Sequence, residues 1–317
     1  MIKKLIFALL AIVMLQQAIY AQDKTDQRTT TTRIADLLAQ LPARDGKQLK
    51  RNMQEIADLG EEGYVTLVGG LAPGAKENAV IEYAVSGFSA YVSQSGQENL
   101  RKMSAAAYCK ALAKLSDNPN KAFVISQFEL VGNDAAIDCI APYLKDEVLA
   151  DPAARSLAKI NTENATAALL AALPATSGKA QLAIVDALGH SHSKKAAAAI
   201  QNLFAGKMSS DVAKVCLYAL ANIADPASKT VLANSANNVG FKPENTNTVD
   251  AYIVYANNLM LTDKALAISI AKEILEKAKG DDLVHTRTAA LKIIADTEPD
   301  YLLAALNDPN FNTVPLP

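Results

Sequence analysis

Leu217-Tyr218-Ala219-Leu220-Ala221-Asn222-Ile223-Ala224-Asp225-Pro226-Ala227 is the stretch that decides the fold. Its apolar residues recur at spacings of three and four, as on one buried face of a helix. The Asp-Pro pair then turns the chain. Aspartate accepts from the free amides of a helix start, and proline has no N–H to lose there. The ending recurs upstream as Leu157-Ala158-Lys159-Ile160 and Leu188-Gly189-His190; Leu157 to Leu188 is 31 residues and Leu188 to Leu220 is 32. One two-helix unit cannot bury its apolar face alone, but stacked units bury one another's. The expected fold is all-α: a right-handed α–α superhelix of antiparallel helix pairs.

Composition agrees. Alanine supplies 58 of 317 residues, Trp is absent, and only 14 residues are glycine. Alanine is the strongest helix former and lets helices approach closely. It carries little apolar area, so Leu, Ile and Val must supply most of the core energy. Charge is balanced, with 31 Lys+Arg against 33 Asp+Glu. That excludes an acidic disordered tail and gives no basic stripe for nucleic acid.

Working outward, helical spacing begins at Ile34, Leu37, Leu38 and Leu41 and stops at Pro42. It resumes at Leu49, Met53 and Ile56, then at Tyr64 to Leu71, Ala79 to Val92, Leu100 to Leu115 and Phe123 to Val131. After Asn133-Asp134, Ala136 to Leu144 reads as the next helix, and Asp151-Pro152 as the start of another. Thr162 caps the following one, Gly189 ends the helix of Leu182 to Leu188, and Ser210-Asp211 starts the next pair. Gly240 to Asn247 is a polar break. Apolar helices follow to Leu306, and Asp308-Pro309 opens a further turn before Phe311, Val314, Pro315 and Leu316. Three arrangements fit that ending: a plug folded back on the core, the remnant of a longer array, or an edge covered by a partner.

The central stretch resembles the HEAT-repeat family of helical solenoids, in its short bacterial form. Ala153-Ala154-Arg155-Ser156-Leu157-Ala158-Lys159-Ile160, Leu182 to Gly189, and Leu217 to Ala227 carry the likeness, which covers roughly 133–236. The resemblance implies a HEAT/armadillo-like binding scaffold. The family's pattern positions are packing residues, so no catalytic residue transfers. The export signal and long flanks also resemble the helical N-terminal regions of secreted Bacteroidota proteins. Some of those precede a 3-keto-glycoside hydrolase-like β domain, which these residues lack.

The organisation expected is a signal peptide at 1–21, a flexible leader at 22–32, divergent helical repeats at 33–132, HEAT-like repeats at 133–239, a loop at 240–248, and C-terminal helical repeats and tail at 249–317. The signal rests on Lys3-Lys4, the apolar run Leu5 to Leu15, and Ala18-Ile19-Tyr20-Ala21 before Gln22. Its removal leaves no further apolar stretch long enough to span a membrane. The remaining balance is 29 basic to 33 acidic residues, since Lys3 and Lys4 leave. Cys109, Cys139 and Cys216 read as three small buried residues. One disulfide stays open for an exported chain, and sequence does not pair them.

Candidate chemistry is sparse. His190 and His192 suit a loop metal site only with a third ligand, and His285 lies far along the chain. Glu61-Glu62 and Lys194-Lys195 read as helix-start charges. Leu67-Val68-Gly69-Gly70-Leu71 lacks dinucleotide spacing and reads as close packing or a bend. Ser126, Ser156 and Ser193 have no base partner. No catalytic, cofactor-binding or metal residue is assigned, and no cofactor or enzyme activity is expected. The expected function is a non-catalytic scaffold, periplasmic or secreted, that binds another protein. The alternatives are a glycan-associated module, or accessory to a secreted carbohydrate-active protein, and an enzyme with a groove active site. Tyr83, Tyr91, Tyr108, Tyr143, Tyr218, Tyr252 and Tyr255 are the aromatic candidates for contact, some of them core.

Overall fold

A computed structural model describes residues 28–308 and Phe311; the expected signal and most of the expected leader lie outside them. Among the described residues there are seventeen α-helices and no strand. They are α1 (Thr30–Leu38), α2 (Gly46–Ala57), α3 (Gly60–Val68), α4 (Asn78–Val92), α5 (Glu98–Leu112), α6 (Asn118–Val131), α7 (Ile137–Ile140), α8 (Ala150–Ile160) and α9 (Glu163–Ala172). Then follow α10 (Gly178–His190), α11 (Ala197–Phe204), α12 (Ser210–Ile223), α13 (Lys229–Asn238), α14 (Thr248–Leu259), α15 (Lys264–Lys277), α16 (Val284–Ile294) and α17 (Pro299–Leu306). No described helix is long and apolar enough to cross a membrane.

The helices form two rows, the all-α helical-repeat superhelix expected. Even-numbered helices from α2 to α16 each pack on the next even one, odd-numbered helices from α3 onward pack against their even neighbours, and α1 packs on α3 and α4. The recurring leucines Leu157, Leu188 and Leu220 are fully buried in α8, α10 and α12. Each such burial is worth about 1.5–3 kcal/mol. Alanines at 153, 154, 187, 219 and 221 fill the space between them. One continuous core runs from Ile34 to Ile294.

The close-packed row changes along the array. Near the N-terminus the odd row is tied: α3 lies along α5, with Tyr64 and Tyr108 hydroxyls 2.6 Å apart and Lys110 bonded to Glu61 and Glu62. From α6 to α14 the even row is tight, and α9, α11 and α13 meet their even neighbours more than one another. At α10 and α12 the backbones nearly touch: a Cβ on Gly189 would stand 2.7 Å from Ala219 Cα.

The repeat has a backbone marker. Asn161, His192 and Ala224 each stand four residues after a recurring leucine, and each has φ of 51–52°. Ala224 bears the steric cost of left-handed backbone without help from a polar side chain. Ala224→Gly is expected to raise the unfolding free energy by about 1 kcal/mol, read from urea titration; a loss of stability would show that burial of its methyl group outweighs backbone relief.

Several boundaries differ from the sequence expectation, each for a local reason. α1 starts at Thr30, inside the expected leader, because Thr29 accepts from the Thr32 amide. The helix expected after Asn133 is broken into a 3-10 turn at 134–136, the four-residue α7, and a second 3-10 turn at 141–145 containing Pro142. α8 begins at Ala150, before Asp151-Pro152, and Asp146 accepts from the amides of Val148 and Leu149 just ahead of it. Proline is tolerated in that first turn because its N–H would be unpaired there. α10 continues past Gly189 through His190. Ser209, rather than Ser210 or Asp211, caps α12.

The cysteine expectation also needs correction. Cys109 of α5 and Cys139 of α7 form a disulfide, both half-buried; Cys216 is buried and free. Its thiol is pushed up to about 12 by burial.

Candidate functional site

Most of the tempting residues in the sequence have a structural partner. Nδ1 of His190 lies 3.0 Å from the Asp186 carbonyl oxygen and 3.4 Å from its carboxylate, both side chains on the exposed face of α10. Nδ1 of His192 lies 2.7 Å from the carbonyl oxygen of Asn222, tying one repeat to the next. His285 is exposed at the start of α16. Among the described residues, no group of three or more His, Cys, Asp or Glu is placed to hold a metal ion.

Ser156 Oγ donates to the Ile125 carbonyl at 2.8 Å, joining α8 to α6. Ser126 Oγ donates to Phe123 O within its own helix. The Ser193 amide donates to Ser191 Oγ. Lys195 pairs with Glu163 at 3.1 Å. Lys110 sits between Glu61 at 2.7 Å and Glu62 at 2.5 Å, which hold its ammonium well above the usual lysine range. Gly69 and Gly70 form the turn after α3, consistent with a bend. In the 240–247 loop, burial raises Glu244, but amides of Thr248 and Thr246 and their hydroxyls outweigh it and hold the carboxyl below the usual glutamate value. That contribution is complete above the ordinary glutamate range and is lost as pH falls through the depressed value.

The tyrosines divide. Tyr64, Tyr108, Tyr252 and Tyr255 are fully buried, while Tyr83 is 38% exposed. Tyr91, Tyr143 and Tyr218 are half-buried. Tyr108 is central to a buried hydroxyl chain: its oxygen lies 2.6 Å from Tyr64 and 2.6 Å from Ser89. Burial, partly offset by hydrogen bonds from Ser89 and Tyr64, pushes it up to about 12. Tyr108→Phe leaves the other two hydroxyls short of a partner and is expected to cost about 1–2 kcal/mol in denaturant unfolding. An unchanged midpoint would mean that Tyr64 and Ser89 find partners elsewhere.

The repeat builds its exposed ridge by arithmetic. Two residues before the recurring leucine the side chains are Arg155, Asp186, Tyr218 and, counting from Leu259, Asn257; two after it they are Lys159, His190, Asn222 and Leu261. All are exposed or half-buried; the first seven lie on consecutive helices of the close-packed even row, and Leu261 stands in the turn after α14. Along α8, α10 and α12 the ridge is mostly polar and partly self-paired: Arg155 reaches Asp151 at 3.3 Å and Glu129 at 3.7 Å, while Leu261 beyond α14 is an exposed apolar side chain.

Among the concavities off the ridge, one of about 430 Å³ runs along α15 past Lys272 and Glu273, and two others adjoin features already described. One, of about 450 Å³, lies between α5 and the 134–136 turn, beside Cys109. The other, of about 150 Å³, lies at the C-terminal end, where Phe311 is 3% exposed and packs with Val284, Leu291 and Ala305. Arg287 stacks on Phe311 at 4.5 Å and pairs with Asp308 at 2.7 Å. Phe311 therefore folds back on α16 and α17, in a small apolar cluster separate from the main core; Val314 to Leu316 lie outside the described residues.

These features define an all-α helical-repeat superhelix with an exposed, mostly polar ridge. Comparison with protein-family models, curated proteins and solved structures finds no match for this chain.

Proposed function

We propose that the protein is a HEAT-like, non-catalytic, exported scaffold whose even-row ridge binds another protein. The observation that carries this reading is the regular ridge itself, one outward pair of side chains per helix along α8, α10 and α12, continued by Asn257 of α14. An array whose one row packs tighter than the other bends toward the tight row, so the ridge faces the inside of the bend. Extended concave surfaces of this kind suit long polypeptide partners. Export to the periplasm or beyond is supported by the basic-apolar-small pattern at 1–21 and by the Cys109–Cys139 bond, since disulfides persist in oxidising compartments.

The test is capture of partners from the native envelope fraction with tagged protein, alongside a Arg155→Glu/Tyr218→Ala variant. The reading expects a stoichiometric protein partner that the variant loses while its helical circular dichroism is unchanged. Equal capture by both forms, or a protein that stays alone in every fraction, would overturn it.

A further inference from the structure

We propose that the Cys109–Cys139 disulfide is a thiol-exchange site, entered through the outer groove at α5 and selective for small thiols that carry a negative charge. Three observations carry this. The groove is open to solvent, holds about 450 Å³, and has Cys109 in its wall while Cys139 is not part of it. Its walls are otherwise alanines of α5 and the 134–136 turn, with Asn133 and Lys102 also lining it. Lys102 lies two helical turns before Cys109 on the same helix, is exposed, and forms no ion pair among the described residues. The groove exists because the chain after α6 is broken into short turns around α7 and leaves that part of α5 uncovered.

Exchange at sulfur requires a thiolate to approach one sulfur with the other as leaving group, and access decides which is attacked. A thiolate in the groove meets Cys109 Sγ. A new S–S bond forms there as the Cys109–Cys139 bond breaks, and the electron pair leaves on Cys139, which takes a proton from water. A second thiol then attacks the adduct, releasing the small-molecule disulfide and leaving both cysteines reduced; two thiols are oxidised and one protein disulfide is reduced. Lys102 places positive charge where an anionic thiol carries its carboxylate.

The test uses the full chain, purified oxidised, with mercaptoacetate as the anionic probe and cysteamine as the cationic one. Adducts are trapped by acid and located by peptide mass spectrometry, with rates normalised to thiolate concentration. The expected adduct is on Cys109. Lys102→Ala should slow mercaptoacetate about threefold, the effect of one charge at roughly 6 Å in water, and Lys102→Glu more, with cysteamine changing in the opposite sense. An adduct on Cys139, rates indifferent to Lys102→Glu, or reaction that appears only at urea concentrations that unfold the chain would each overturn the proposal.

Discussion

Replacing Cys109 and Cys139 together by alanine is expected to lower the unfolding free energy by about 3–4 kcal/mol. The bond joins positions 30 apart in sequence, and the figure follows from the loop entropy it removes from the unfolded chain. The bond also sits where its loss matters to shape. α7 is only four residues long and bracketed by 3-10 turns, so it has little hydrogen-bonded structure of its own with which to hold its place beside α5. Urea unfolding of the double variant, against wild type in oxidising buffer, checks the value. A change below about 1 kcal/mol would mean that the reduced chain is already constrained there by other structure.

The second large effect comes from removing space. Gly189→Ala adds one methyl group in α10, a change that in an open helix gains about 1 kcal/mol. Here the new Cβ would stand 2.7 Å from Ala219 Cα and 2.9 Å from Ala219 Cβ. Backbone cannot swing aside as the end of a long side chain does, so α10 and α12 must part. The expected result is a loss of about 2–3 kcal/mol. Gly46→Ala is the matched control: nothing lies within 4 Å of its Cβ direction, and it should be neutral or slightly stabilising. If both variants move the midpoint the same way, the close approach of α10 and α12 is not what fixes Gly189.

The architecture was readable because its cause is periodic. Leu157, Leu188 and Leu220 announced the period and are all buried, and Thr162 caps α9 as expected. What escaped was set by contact across units. The Asp151-Pro152 pair looked like Asp225-Pro226, yet the first lies inside α8 while in the second Asp225 caps a 3-10 turn that Pro226 opens, because Asp146 had already taken the amides before α8. The left-handed positions 161, 192 and 224 hold Asn, His and Ala, so composition hid a shared conformation that the spacing carries. The disulfide had a signal too: a separation of 30 is close to one repeat, which sets two residues at comparable places in consecutive units. Of the tyrosines, spacing alone could not say that Tyr108 lies inside and Tyr83 outside, because both fall on helical stripes.

Pulled from its two ends, an array in which each helix touches mainly its near neighbours in sequence should give way unit by unit. The Cys109–Cys139 bond changes that response. It withholds the chain between its two cysteines from extension, about 100 Å of contour at roughly 3.4 Å per residue. A stretched single molecule would come up short by that length, and would lengthen by the same amount once a reductant had entered the groove at α5.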